Sequence, residues 1–102
     1  MQLIHVLLPL YDNDRQPIAH ELFHQVRQEL TDQFQGLTVY SRSPAEGLWK
    51  ADGSQTTHDD LVLFEVMTDQ LDRKWWSSYR QTLEQRFRQQ KVVVRAQEVV
   101  LL

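Results

Sequence analysis

Residues Asp60–Met67 read Asp-Leu-Val-Leu-Phe-Glu-Val-Met and form the most strand-like segment of the chain. The segment is rich in β-branched, aromatic and other apolar residues and contains neither Gly nor Pro, which suits a pleated and buried surface. Alternate residues point to opposite faces of a strand. One face carries Val62, Phe64 and Val66; the other carries Leu61, Leu63 and Met67, interrupted by Glu65. A strand with two apolar faces is central in its sheet or covered on both sides.

Three further segments alternate in the same way. Two segments repeat their apolar residues about every four positions, as the stripes Ile18, Leu22, Val26, Leu30 and Phe34, and Leu71, Trp75, Tyr79, Leu83 and Phe87. Alternation predicts strands, and a repeat near 3.6 predicts amphipathic helices. The expected strands, besides the central one, are Leu3–Leu10, Leu37–Arg42 and Lys91–Val99. The expected helices are Ile18–Phe34, ended by Gly36, and a second one that begins at a Thr68 or Asp69 cap and runs to about Gln90.

The predicted order is therefore βαββαβ in a single domain that spans residues 1–102. Two βαβ halves with right-handed crossovers give an α+β, ferredoxin-like sandwich. Its four-stranded antiparallel sheet has the order 4-1-3-2, and both helices cover one face. We expect His5 and Glu65 on adjacent strands, which we take to run parallel. The helix-covered face should carry Ile4, Val6, Leu8, Leu37, Val39, Val62, Phe64, Val66, Val92 and Val94.

Residues 43–59 interrupt this pattern. Asp52-Gly53 is a hairpin turn signal. We expect Gly47–Lys50 and Ser54–Thr57 to pair as a projecting arm that carries Trp49. Trp76 lies beside the apolar stripe of the second helix. For both Trp49 and Trp76 the alternatives are a ligand lid and an interface residue, and we favour the interface.

The second face of the sheet should be open and apolar. Large side chains on an uncovered face make a patch that monomers seldom expose. The residues concerned are Leu3, Leu7, Leu61, Leu63, Met67 and Val93. We expect a second copy of the chain to cover them, most simply as a two-fold homodimer. The apolar tail Val99–Leu102 can complete that contact.

A polar cluster interrupts the same face. Its members are His5, Tyr40, Arg42, Glu65 and Arg95. Charges buried between subunits must pair, so an interface ion-pair network accounts for the cluster. The alternative is a site for a small, acidic ligand or for acid–base chemistry, in which His5 titrates near neutral pH.

His20-Glu21-Leu22-Phe23-His24 matches the H-E-x-x-H motif of zinc peptidases. Two His one helical turn apart can bind zinc while the Glu activates water. However, both His fall opposite the apolar stripe of the helix, toward solvent. The third ligand would have to be another residue such as His58. We therefore predict no metal site, and keep His20 and His24 as the residues of a zinc-hydrolase alternative.

Composition and charge exclude several classes of function. The chain has no Cys, so it forms no disulfide or thiolate zinc site, and no cofactor is expected. No apolar run approaches the ~20 residues of a membrane span, and we expect a cytoplasmic protein. The net charge is −3, and the central strands lack the aromatic platform of RNA-recognition modules, so no nucleic acid is expected. Residues 69–91 hold six basic and three acidic side chains, which suits phosphate contact or simply a solvated helix face.

Several motifs resemble the dimeric α+β barrel superfamily, and in particular small uncharacterised bacterial families within it. They are Gly36-Leu-Thr-Val39, Gly47-Leu-Trp49, Asp52-Gly53 and the central strand. The resemblance implies a ferredoxin-like fold and a homodimer. Members include cofactor-free monooxygenases, haem-degrading enzymes, isomerases and ligand-sensing domains, so it leaves the function open. Our first hypothesis is a small ligand bound between the sheets, and the alternative is a cofactor-free monooxygenase or isomerase that uses His5 or Tyr40 as acid or base.

Overall fold

The computed structural model describes the backbone of residues 1–40, 46–51 and 55–102, and the side chains of residues 1–40 and 61–102. It contains five strands and two helices. In chain order they are β1 (Gln2–Pro9), α1 (His20–Phe34), β2 (Thr38–Tyr40), β3 (Glu46–Ala51), β4 (Gln55–Thr68), α2 (Arg73–Arg86) and β5 (Val93–Glu98). No helix within the described ranges is long and apolar enough to cross a bilayer.

The sheet has the order β2-β4-β1-β5, which confirms the predicted ferredoxin-like topology. All of the described pairings are antiparallel. The expectation that His5 and Glu65 lie on parallel strands was wrong. Each βαβ unit makes its own two strands parallel but leaves one sheet position between them. The strand that fills that position runs the opposite way, so β1 and β4 are antiparallel neighbours.

β4 begins at Gln55, five residues before the predicted start of the central strand. Its second half pairs with β1 and its first half pairs with β3, where Trp49 lies opposite Thr57. The predicted pairing of the arm is thus confirmed for the backbone. Asp52-Gly53 and the side chain of Trp49 lie outside the described residues.

The core lies between the sheet and the two helices. β1 and β4 contribute alternate residues that are almost completely buried, and the predicted helix-covered face is confirmed. The buried residues are Ile4, Val6, Leu8, Val26, Leu30, Val62, Phe64, Val66, Trp76, Tyr79, Leu83, Phe87 and Val92. Burying each large apolar side chain stabilises the fold by ~1.5–3 kcal/mol. The covered face therefore accounts for most of what holds the sheet against the helices.

The helix ends differ from the prediction. Gln35, not Gly36, adopts the left-handed conformation that ends α1, with φ 60°. α2 begins after Asp72, whose Oδ1 accepts the backbone N–H of Trp75 at 3.1 Å, so the cap is Asp72 and not Thr68 or Asp69. Side-chain oxygens of this kind satisfy one of the N–H groups that a helix start leaves without a partner.

Trp76 is part of the core, which corrects the interface role expected for it. Its side chain is 5% exposed. Its ring stacks on Phe34 with centroids 5.1 Å apart and an interplanar angle of 10°. Trp75 is half-buried and meets Phe34 edge-on at 5.2 Å. The two tryptophans therefore join the first turn of α2 to the last residue of α1.

The two ends of the chain lie side by side. The backbone N–H of Val99 donates to the carbonyl oxygen of Met1 at 2.9 Å. Beyond that bond, Val100, Leu101 and Leu102 are exposed. The apolar tail thus leaves the sheet at the edge next to β1.

Candidate functional site

The open face of the sheet presents side chains in rows across the strands. One row runs Thr38, Glu65, His5, Arg95, because Thr38 and His5 both lie opposite Glu65 and Arg95 lies opposite His5. Side chains opposite each other on one face have Cβ atoms ~4.5–5.5 Å apart. The register therefore places three of the predicted site residues side by side on three strands.

His5, Glu65 and Tyr40 are in contact. The His5 Nε2 lies 3.0 Å from Glu65 Oε1, and each of these side chains is 18% exposed. The Tyr40 hydroxyl donates to Glu65 Oε2 across a longer 3.5 Å. A carboxylate only accepts hydrogen bonds, so the short contact puts a ring hydrogen on Nε2. In the neutral imidazole Nδ1 then remains an acceptor.

Apolar side chains form the next row of the same face. Tyr40 lies opposite Leu63, Leu63 opposite Leu7, and Leu7 opposite Val93. Val93 is 42% exposed and Met67, on the far side of the polar row, is 47% exposed. The polar cluster is thus set in an apolar surface that neither helix covers.

Of the other two predicted cluster residues, Arg95 and Arg42, the structure describes only Arg95. Arg95 is exposed and neighbours His5 through the strand register. Arg42 lies outside the described residues. The cluster that the structure describes is therefore a carboxylate between an imidazole and a phenol, with one guanidinium in the adjacent position.

His20 and His24 lie in the first two turns of α1, and both are exposed, as the apolar stripe predicted. Within the part of the chain whose side chains are described, no group of three His, Asp or Glu is placed to hold a metal ion. His58, named as a possible third ligand, has its side chain outside that part.

A network between the helices escaped the sequence analysis. Arg86 of α2 donates two hydrogen bonds to Glu29 of α1, at 2.7 and 3.0 Å, and the Tyr79 hydroxyl donates a third at 2.9 Å. The hydrogen bonds from Arg86 lower the pKa of the Glu29 carboxyl. Burial and, secondly, the bond to Glu29 raise the pKa of the Tyr79 hydroxyl. Glu29 and Arg86 lie beside the predicted apolar stripes rather than on them, so the sequence pattern did not identify the pairing.

Two solved structures resemble this fold, and both are of a phage SAM lyase. The one in complex with S-methyl-5'-thioadenosine has a TM-score of 0.60 and 14% identity, covering 95% of this chain and 80% of that chain. The apo one has a TM-score of 0.60 and 13% identity, covering 94% and 78%. No protein-family model and no curated protein matches the chain. At this identity the likeness shows the fold alone, so membership of the dimeric α+β barrel superfamily stays a prediction.

Proposed function

We propose that the open face of the sheet binds a small molecule between two copies of this chain. The observation that carries the proposal is the His5–Glu65–Tyr40 cluster, which places three polar groups in contact on an otherwise apolar and uncovered surface. Small-molecule sites have this composition: mostly apolar walls with a few converging polar groups.

A second wall is needed because a sheet face alone is not concave. The two cavities that the structure describes lie elsewhere, and neither is lined by His5, Tyr40 or Glu65. A two-fold homodimer would oppose two identical faces and enclose both clusters between them. Exclusion of water would also strengthen every polar contact to a bound ligand.

S-adenosylmethionine and its thioether products are the first ligands to test, because both similar structures are SAM lyases and one holds S-methyl-5'-thioadenosine. The cluster offers matching chemistry. The Glu65 carboxylate can attract a sulfonium or ammonium group, while Arg95 can bind the carboxylate of an amino-acid moiety. The sequence predicted a ligand with an acidic group. A ligand that carries both a carboxylate and a cationic group would have that acidic group, and its carboxylate would contact Arg95 rather than Glu65.

Binding can be tested by titrating S-adenosylmethionine and S-methyl-5'-thioadenosine separately into the protein in a calorimeter. We expect saturable binding of S-adenosylmethionine, weakened about tenfold or more by Glu65→Gln, since an amide lacks the charge that attracts the sulfonium. S-methyl-5'-thioadenosine is an uncharged thioether and serves as the comparison ligand. Glu98→Gln is the matched control, because Glu98 is exposed and its position in the strand alternation puts it on the other face. Equal affinity of Glu65→Gln and the wild type for S-adenosylmethionine would exclude this site.

A catalytic role is the second candidate, because His5 and Tyr40 are both held against the same carboxylate and can act as acid or base. Two assays cover it: formation of S-methyl-5'-thioadenosine from S-adenosylmethionine, and oxygen uptake with dihydroxyarenes for a cofactor-free monooxygenase. We expect His5→Ala to abolish whichever turnover is found while the sedimentation coefficient stays unchanged. Turnover that persists in His5→Ala would leave the imidazole without a chemical role.

A further inference from the structure

We propose that a groove between α2 and β5 binds a small organic anion, a phosphate or carboxylate attached to an apolar body. This groove has a volume of about 290 Å³. It is lined by Leu71 and residues of α2 on one side and by Val94, Arg95 and Ala96 of β5 on the other, with Ile4 of β1 beneath. Arg95, which neighbours His5 of the open-face cluster, also lines this groove, but the anion proposed here is held by Arg73 and Arg80 of α2 and needs no ligand on the open face.

The cationic wall of the groove comes from one face of α2. Arg73, Ser77 and Arg80 all line it, at spacings of four and three residues. Residues three and four apart are neighbours on a helix surface. Two arginines and a serine therefore line one side of the same cavity, and their side chains carry the donor groups that phosphate and carboxylate groups select.

The base of the groove is apolar. Leu71, Val94 and Ala96 supply apolar side chains to its lining, and Ile4 and Trp76, which also line it, are almost completely buried. Ala96 occupies the β5 position where a longer side chain would fill the space. β5 is the edge strand of the sheet order, so nothing in that order lies beyond Ala96. An occupant must thus bring an apolar portion as well as a charge.

Arg73 lies in the first turn of α2, where a positive charge destabilises the helix. α2 has Arg73 and Lys74 in its first turn, and the carboxylate at its start is the cap Asp72, whose Oδ1 already accepts the N–H of Trp75. Cations at a helix N-terminus oppose the helix dipole, by ~0.3–1 kcal/mol each at the surface. An anion held by Arg73 would relieve that repulsion. Arg80 already donates from Nη1 to Glu84 at 2.9 Å, but a guanidinium has five N–H groups, so further donors remain.

The volume limits the size of the ligand. Sites for drug-sized molecules begin at roughly 300 Å³, so the groove matches one anionic group with a ring or short aliphatic chain. Binding of nucleic acid would instead need basic residues along an extended surface, whereas Arg73 and Arg80 line a single cavity. We therefore commit to a small molecule, with the source of the anion left to the test.

The test is a set of ¹⁵N-HSQC titrations with inorganic phosphate, phenyl phosphate and benzoate, in a buffer free of other oxyanions. We expect saturable shifts at the amides of residues 73–77 and 94–96, with the aromatic probes binding more tightly than inorganic phosphate. Tighter binding of phenyl phosphate than of benzoate would identify the anion as a phosphate ester, and the reverse order would identify it as a carboxylate. Shifts that spread over all basic segments without saturating would overturn the proposal.

Variants separate a built site from general positive charge. Arg73→Ala and Arg80→Gln should each weaken phenyl phosphate about tenfold, whereas Lys74→Ala, which removes the same charge one residue away, should change it less than about twofold. Ala96→Leu keeps the charge and fills the groove, so it should abolish phenyl phosphate binding. Equal effects of Arg73→Ala and Lys74→Ala, or unchanged binding in Ala96→Leu, would show that no such site exists.

Discussion

Trp76 has the largest side chain in the core, and its indole ring lies flat against Phe34. Truncating a buried Trp removes its contacts and leaves a cavity. We expect Trp76→Ala to lower the free energy of unfolding by about 3–5 kcal/mol, measured by urea denaturation. Trp75→Ala is the control, because Trp75 is half-buried and its loss should cost clearly less. Equal losses would mean that the two rings share the core equally.

The sequence could not separate these neighbours. It predicted a stripe at Leu71, Trp75, Tyr79, Leu83 and Phe87, spaced four residues apart. An α-helix has 3.6 residues per turn, so each step of four advances ~40° around the axis and the stripe drifts. The residues that stay buried are Trp76, Tyr79, Leu83 and Phe87. By contrast, the strand residues of the core follow a period of two with no drift, and they were predicted individually.

The two helices are joined by charge as well as by aromatic contact. Glu29 accepts two hydrogen bonds from Arg86, which lower the pKa of its carboxyl below the ordinary 4.5. Since the folded state holds the proton less tightly, this stabilisation is complete above the unfolded pKa and is lost as pH falls through the folded pKa.

We therefore expect Glu29→Gln to destabilise the protein by roughly 1 kcal/mol at pH 7, a small value because the carboxylate is partly solvated. The difference from the wild type should disappear toward pH 3. Urea denaturation of both proteins at a series of pH values measures it. A difference that stays constant across that range would show that the charge of Glu29 contributes nothing.

Element boundaries were predicted less well than element types. Asp69 and Asp72 are both of a residue type that can cap a helix, and the sequence does not show which one begins α2; in the structure it is Asp72. The central strand was taken to start at Asp60 because the apolar alternation stops there, yet β4 continues to Gln55 through backbone pairing with β3. The sequence had predicted Ser54–Thr57 as a separate strand of the arm, so what it missed is that this strand and the central strand are continuous. That His5 and Glu65 lie on one face of neighbouring strands was predicted, since it depends only on strand order and the alternation of faces. Their direct opposition comes from the antiparallel register, which was not predicted.

At the scale of the whole molecule, the proposed homodimer depends on the open face. Leu7 and Leu63 lie opposite each other near its middle. A two-fold interface repeats each residue, so Leu7→Glu would bring two new carboxylates into one contact. We expect the variant to be monomeric in analytical ultracentrifugation at concentrations where the wild type is dimeric. Gln81→Glu, an exposed change on α2, should leave the dimer intact, and circular dichroism checks that both variants fold.

A monomeric wild type would contradict the dimer directly. A dimer unaffected by Leu7→Glu would place the interface on another surface. Either result would also remove the second wall that the proposed ligand site on the open face requires.

The hydrogen bond between Val99 and Met1 places these residues close enough for the chain to be circularly permuted, so that its elements follow one another in a different order. β5 and β1 are antiparallel neighbours with Glu98 opposite Gln2. Replacing Val100–Leu102 with a two-residue Asn-Gly turn that joins Val99 to Met1 would therefore convert the two strands into a hairpin. New ends can be opened at Gly36, where the chain is exposed between α1 and β2. Such a circular permutant keeps the sheet but turns its most distant pairing into a local one. It should refold faster than the original chain in stopped-flow fluorescence, since local contacts lower the entropic barrier to folding.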